Sequence, residues 1–154
     1  MHQSKLCATH CLPQNRLLKD DGTPFGNHEL YRSIVGELQY LTFTRPDIAF
    51  SVHQVCQFMH CPIESHYLAV KRILRYLKGT QHYGIQYMKG KLELNAFSDA
   101  DWAGDPNNRR STTRLVAFLG NNPILWSSKK QNTVSRSSIE AKYRAIATTT
   151  AEIN

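Results

Sequence analysis

Apolar positions recur along the chain with two different periods, and the change comes near its middle. From residue 29 to 43, Leu30, Ile34, Leu38 and Leu41 follow helical spacing, and Tyr31 and Val35 widen the face. Thr44-Arg45-Pro46 stops this helix, because the residue before a proline is pushed out of the α region. Pro46 suits the first turn of a second helix and Asp47 favours its dipole; Ile48, Val52, Val55 and Met59 form the stripe, and Cys61-Pro62 ends it. A third helix is predicted from about Glu64 to Lys78. Leu68, Ala69, Ile73, Tyr76 and Leu77 are its buried side, and Gly79 lies just past its end.

From Tyr83 the period shortens. Ile85 and Tyr87, then Leu92, Leu94, Ala96 and Phe97, suggest strands around a Lys89-Gly90-Lys91 turn. A loop from Gly104 to Arg110 leads to a strand at Leu115 to Leu119, a turn at Gly120 to Pro123 and a strand at Ile124 to Ser127. Short connections between successive strands imply an antiparallel meander. Ser137-Ser138-Ile139-Glu140 then opens a helix as a capping box, in which Glu140 reaches back to Ser137. Ile139, Tyr143, Ile146 and Ile153 make the face expected to pack on the sheet. The fold class is α+β: a tail or linker over 1–28, a small helical lobe over 29–79, and a three-stranded meander with one helix over 83–154. A sheet of that size would lack partners for its edge and its helix face, so the domain is expected to be truncated.

Composition narrows the function. Apolar residues make up 41% of the 154, enough for one ordinary core or two small lobes. No apolar run has the length of a membrane span, and the N-terminus lacks a signal-peptide core, so an intracellular, non-secreted protein is expected. Cys7, Cys11, Cys56 and Cys61 are then expected to stay reduced. Cys7, His10 and Cys11 invite zinc, but Cys56 and Cys61 do not complete a four-ligand set. His53, His60, His66 and His82 have no partner pattern. The net charge of +7 favours a polyanionic partner, although solvated surface charge accounts for it equally well. Lys71, Arg72, Arg75 and Lys78 mark a basic flank on the third helix, readable as a phosphate-tracking surface or as solvated charge. Asp99 and Asp101 share a strand face if the strand continues; a solvated strand end is the simpler reading of Asp101, and a turn that of Asp105.

Longer motifs carry a resemblance. They are Leu30-Tyr31-Arg32-Ser33-Ile34-Val35-Gly36, Thr44-Arg45-Pro46-Asp47-Ile48-Ala49-Phe50, Val70-Lys71-Arg72-Ile73-Leu74-Arg75-Tyr76-Leu77-Lys78-Gly79-Thr80, Ser98-Asp99-Ala100-Asp101-Trp102-Ala103-Gly104 and Trp126-Ser127-Ser128-Lys129-Lys130-Gln131. From about Leu12 onward the chain closely resembles the copia-type retrotransposon Pol polyprotein, over the end of its reverse transcriptase and the start of its RNase H domain. The resemblance implies a thumb- or connection-like helical region over 29–79 and a partial RNase H-like domain over 83–154. The paired aspartates of the polymerase signature are absent, so DNA synthesis by this chain alone is not expected.

In this family a carboxylate cluster holds two Mg²⁺ ions that position the attacking water and stabilise the leaving oxygen. Asp99 matches the first ligand. The second is the glutamate before tyrosine in Glu-Ala-Glu-Tyr; here the run is Glu140-Ala141-Lys142-Tyr143, so Lys142 stands in the ligand place. The remaining aspartates would lie beyond Asn154. Thr113-Arg114-Leu115 also departs from the family's small residue, Gly and aromatic. On a helical wheel position 142 lies roughly 60° to one side of the Ile139–Tyr143–Ile146 face and Glu140 about 100° to the other, so Glu140 cannot substitute for the missing ligand. Lys142 is expected to pair with Asp99 or to extend past it, and no Mg²⁺ is expected to bind. Three functions follow, in order. The first is a non-catalytic remnant of Pol. The second is a module that binds an RNA–DNA hybrid through Lys71, Arg72, Arg75, Arg109, Arg110, Lys129 and Lys130. The third is a ribonuclease H completed by the remainder of a Pol polyprotein.

Overall fold

The computed structural model describes residues 5–11, 17–20 and 22–154. Leu12, from which the resemblance is read, lies outside the described residues, as does part of the 1–28 tail. The class is α+β. The elements are α1 (His28–Leu41), a 3-10 turn (Pro46–Ile48), α2 (Ala49–Cys56), α3 (Glu64–Gly79), β1 (Leu94–Asp101), β2 (Thr112–Leu119), β3 (Asn122–Lys130) and α4 (Ser138–Ile153). They fall into two units, Met1–Gly84 and Ile85–Asn154. Among the described residues no helix is long and apolar enough to cross a membrane.

In the first unit, the Asn27 side chain caps α1 by accepting from the Leu30 N–H at 2.9 Å. The buried stripe of α1 is Tyr31, Val35 and Leu38; Leu30 is largely turned outward. On α3 the buried residues are His66, Val70, Ile73 and Tyr76; of the expected stripe Ile73 and Tyr76 are buried, Ala69 and Leu77 half-buried and Leu68 exposed. Ile48, Val52 and Val55 complete the contact. Phe25, from the stretch read as a tail, belongs to this core and stacks on Tyr67 at 4.1 Å. Its backbone N–H donates to the Pro62 carbonyl, which ties the segment to the start of α3.

Two buried polar side chains lock the helices. Arg45 is 6% exposed. Its Nε and Nη2 donate to the two oxygens of Asp47 at 2.9 and 2.8 Å, and its Nη1 and Nη2 donate to the carbonyl and hydroxyl of Thr80 at 2.9 and 2.8 Å. Tyr76 donates to the same carboxylate at 2.8 Å. Burial alone would raise the Asp47 carboxyl, but the Arg45 fork and the Tyr76 hydroxyl outweigh it and hold it below its ordinary 3.8. His66, fully buried and stacked on Phe58, accepts from the Ile63 N–H at Nδ1 and meets the Leu18 carbonyl with Nε2. Both ring nitrogens are satisfied only by the neutral Nε2–H tautomer. Burial lowers its pKa from 6.5.

In the second unit, β1, β2 and β3 form an antiparallel meander in that order. The hairpin between β2 and β3 turns on Gly120, whose φ is +59° and whose Cβ, were there one, would collide with the Lys91 carbonyl. The predicted strand before β1 is absent. Residues 84–93 carry no regular structure, and Tyr87, Met88 and Leu92 are exposed. Met88 is held by the Asn122 side-chain amide instead of by a strand. An alternating pattern makes a strand only where a neighbour supplies hydrogen bonds and a core supplies a face to bury.

The packing face of α4 also differs from expectation. The helix lies against β1 and β2. Its buried residues are Ala141, Ala145 and Thr149; Ile139, Tyr143 and Ile146 are 65%, 69% and 53% exposed. Ala141 and Ala145 cluster with Ala100 of β1. Small side chains let helix and sheet backbones approach closely, and close approach outweighs the larger area of the opposite stripe.

Replacing Arg45 by methionine should lower the unfolding free energy by about 2–3 kcal/mol in urea denaturation. That is less than the ~3–5 kcal/mol of a fully buried pair, because the Asp47 side chain keeps 34% of its surface in water. The depressed Asp47 and His66 make acid destabilising. The His66 contribution is complete above 6.5 and is lost as pH falls towards its folded value. The Asp47 contribution is complete above 3.8 and is lost at lower pH still. Denaturation midpoints recorded across this range should therefore fall in two stages.

Candidate metal and nucleic-acid sites

Strand β1 delivers the acidic residues. Ala100 points into the α4 contact, so its neighbour Asp99 emerges on the other face of the sheet, exposed and paired in register with Arg114 of β2. The Asp101 carboxylate folds over Gly104 and occupies the space a side chain there would need. Beyond it the loop is closely tied. Trp102 donates from its indole nitrogen to the Ser135 carbonyl at 3.0 Å, and the Ala103 N–H donates to Ser111 Oγ at 3.1 Å.

Asp105, expected to be a simple turn residue, is the buried anchor of this loop. Its carboxylate accepts from the Asn107 N–H at 2.9 Å, from the Asn107 side chain at 3.1 Å, and from the Lys130 ammonium. Burial would raise its pKa, but Lys130 and Asn107 outweigh burial and keep the carboxyl below the ordinary range. Gln131 is the second hub. Its Nε2 donates to Thr113 Oγ1 at 3.1 Å and to the Ala141 carbonyl at 2.9 Å, while its Oε1 accepts from Ser135 at 2.9 Å. Thr113, one of the departures from the resembled pattern, is thus buried with its hydroxyl satisfied. Gln131 closes the Trp126–Gln131 motif, but no local pattern marks it as a hydrogen-bonding hub; the Asp-Pro-Asn-Asn turn marks Asp105 as a turn but not as an ion-pair partner.

On α4, Ser137 Oγ accepts from the Glu140 N–H at 3.1 Å as expected. The Glu140 carboxylate bonds the Arg136 N–H at 2.7 Å rather than that of Ser137, and also accepts from Arg144. Lys142 is exposed, and no ion pair joins it to Asp99 among the described residues. Three or more His, Cys, Asp or Glu side chains placed to share a metal are not found among the described residues. The donors do not fit a Mg²⁺ pair. Asp105 and Glu140 are spent on cations and backbone amides, Asp101 is folded over a turn, and the ligand position on α4 carries an ammonium.

The seven basic candidates fall in both units. Lys71, Arg72 and Arg75 are half-buried and line a groove of about 320 Å³ with His10 and Cys11. Lys71 lies over the Tyr67 ring at 4.4 Å. In the second unit Arg109 and Arg110 are on the loop anchored by Asp105. Lys129 pairs with Glu152 at 3.0 Å, and Lys130 is committed to Asp105. Lys129, Lys130, Arg144 and Thr113 line a cavity of about 400 Å³ between β3 and α4.

No family model matches the chain, and no solved structure matches it. Among characterised sequences it is 51% identical over 154 residues to the retrovirus-related Pol polyprotein from transposon RE1 of Arabidopsis thaliana. It is 48% identical over 154 residues to that from transposon RE2. In both cases 99% of this chain is covered, but it spans only 10% and 11% of the length of those polyproteins. An uncharacterized mitochondrial protein of the same plant is 56% identical over 124 residues, which is 80% of this chain and 52% of the relative.

Asp105→Asn should cost about 2–4 kcal/mol of stability, because it leaves the Lys130 ammonium, only 17% exposed, without its counter-charge. Adding Lys130→Met should restore most of the loss. Equal losses in the single and double variants, followed by tryptophan fluorescence in urea, would show that the pair is not the source.

Proposed function

The chain belongs to the Pol polyprotein family of copia-type retrotransposons, and from that premise we propose that it is a non-catalytic Pol segment joining the end of the reverse transcriptase to an RNase H-like fold. The three-stranded meander covered by one helix supports the second half of this reading, and the sequence resemblance aligns Asp99 with the family's first metal ligand. The observation that carries the loss of catalysis is Lys142. It places a positive charge at the position that should supply a carboxylate, and it removes one ligand while repelling the ion.

A second reading is favoured by the groove of the first unit lined by Lys71, Arg72 and Arg75: the segment retains affinity for an RNA–DNA hybrid without cutting it. Guanidinium and ammonium groups contact phosphates without reading bases, so such binding would be indifferent to sequence and steeply weakened by salt.

A labelled RNA–DNA hybrid incubated with the chain and Mg²⁺ should remain uncut. Calorimetric titration should find no tight two-metal binding. Lys142→Glu restores the carboxylate of the resembled pattern, but on a helix packed against the face of the sheet opposite Asp99, so it should leave Mg²⁺ binding weak. Tight two-metal binding by the native chain, or hybrid cleavage by it, would overturn the non-catalytic reading.

A further inference from the structure

Away from the carboxylates, α3 carries two arginines whose hydrogen bonding is incomplete. Residues 5–11 run antiparallel along this helix. Leu6 packs over Gly79, where an added Cβ would lie 3.7 Å from its side chain. Cys7 Sγ accepts from Arg75 Nη2 at 3.6 Å, and Thr9 Oγ1 accepts from Arg72 Nη2 at 2.7 Å. His10 meets Tyr76 edge-on at 5.4 Å. A thiol is a weak acceptor. The Nε groups of Arg72 and Arg75 are buried with no partner among the described residues, and neither guanidinium is in an ion pair there.

Arg45, in the same unit, shows what a satisfied guanidinium looks like: a carboxylate on its fork and two further acceptors. Arg72 and Arg75 have instead one hydroxyl and one sulfur. The covering segment is itself weakly held. Among the described residues no backbone–backbone hydrogen bond ties 5–11 to the rest of the chain, and Leu6 and Thr9 are exposed. A segment fastened by a few side-chain contacts opens at low cost. A phosphodiester, with two non-bridging acceptor oxygens and a negative charge, fits two neighbouring guanidinium forks and a lysine better than the segment does.

We propose that residues 5–11 are a displaceable strap over a phosphate-binding face of α3 made by Lys71, Arg72 and Arg75, and that the phosphodiester backbone of nucleic acid is the ligand that lifts it. The inference rests on the nucleic-acid reading above and adds to it a location and a means of control. Strap and ligand compete for the same donors, so the affinity of the closed chain is reduced by the fraction of molecules with the strap open.

The test is fluorescence anisotropy with a labelled RNA–DNA hybrid at low salt. Removing residues 1–11 should tighten binding about five- to tenfold, although the deletion takes away Lys5 and simple electrostatics would weaken it. Arg72→Gln with Arg75→Gln in the shortened chain should abolish the gain. In the undeleted chain, alkylation of Cys7 should speed up when hybrid is added, with exposed Cys61 as the internal reference; this arm needs no variant to fold. Binding that is unchanged by the deletion, with Cys7 no more reactive, would overturn the strap alone. No binding by either the full or the shortened chain would overturn the nucleic-acid reading, and the strap with it.

Discussion

A guanidinium taken out of water has to be neutralised where it stands, and the helical unit is arranged to do that for Arg45. The side chain reaches inward from the turn between α1 and α2, takes both oxygens of Asp47, and still has donors left for Thr80 at the end of α3. Tyr76 fills a remaining lone pair of the carboxylate. Three segments that the chain visits at different times are thereby fixed by one charge. The pair is desolvated on the arginine side, so removing either partner leaves an uncompensated group. The apolar contacts of Tyr31, Val35, Val52, Val55 and Ile73 supply the driving force around it, but they do not by themselves select one helix arrangement.

The sheet unit uses the same device for a different end. In Asp105 and Lys130 it holds a buried acid and base that bulk composition would offer to a metal or to a phosphate. Together with Gln131 they tie the loop after β1 to β2, β3 and α4. The carboxylates near the end of β1 are therefore mostly structural, and Asp99 is the exposed exception. A site for two divalent cations needs several oxygens left unsatisfied by the protein itself, and here the protein satisfies most of them.

Helix existence and order were legible from spacing because α1, the 3-10 turn with α2, and α3 are delimited by strong punctuation: Pro46, Pro62 and Gly79. The exact buried stripes were less so. Each apolar face is broad, and which residues lie at its centre depends on where the neighbouring helix crosses. Gly120-Asn121 marked the hairpin between β2 and β3 because a positive φ is needed there. The false strand before β1 has the alternation of a strand but lacks a neighbour, which local sequence does not reveal. Lys142 could be singled out only against a known pattern; as an isolated residue it is an ordinary surface lysine. The Lys130–Asp105 pair was not legible at all, since the two residues are far apart in sequence and each has a plainer explanation.

The inverted face of α4 bears on how this stretch would drift over time. Its conspicuous residues, Ile139, Tyr143 and Ile146, stand in water, while alanines that attract no notice sit in the contact with the sheet. Exchange of the large residues for polar ones would pass with little cost to the fold. A single leucine at Ala141 or Ala145 would force the helix off β1. A record of tolerated changes along this helix would therefore run opposite to hydrophobicity, with the smallest side chains the least replaceable.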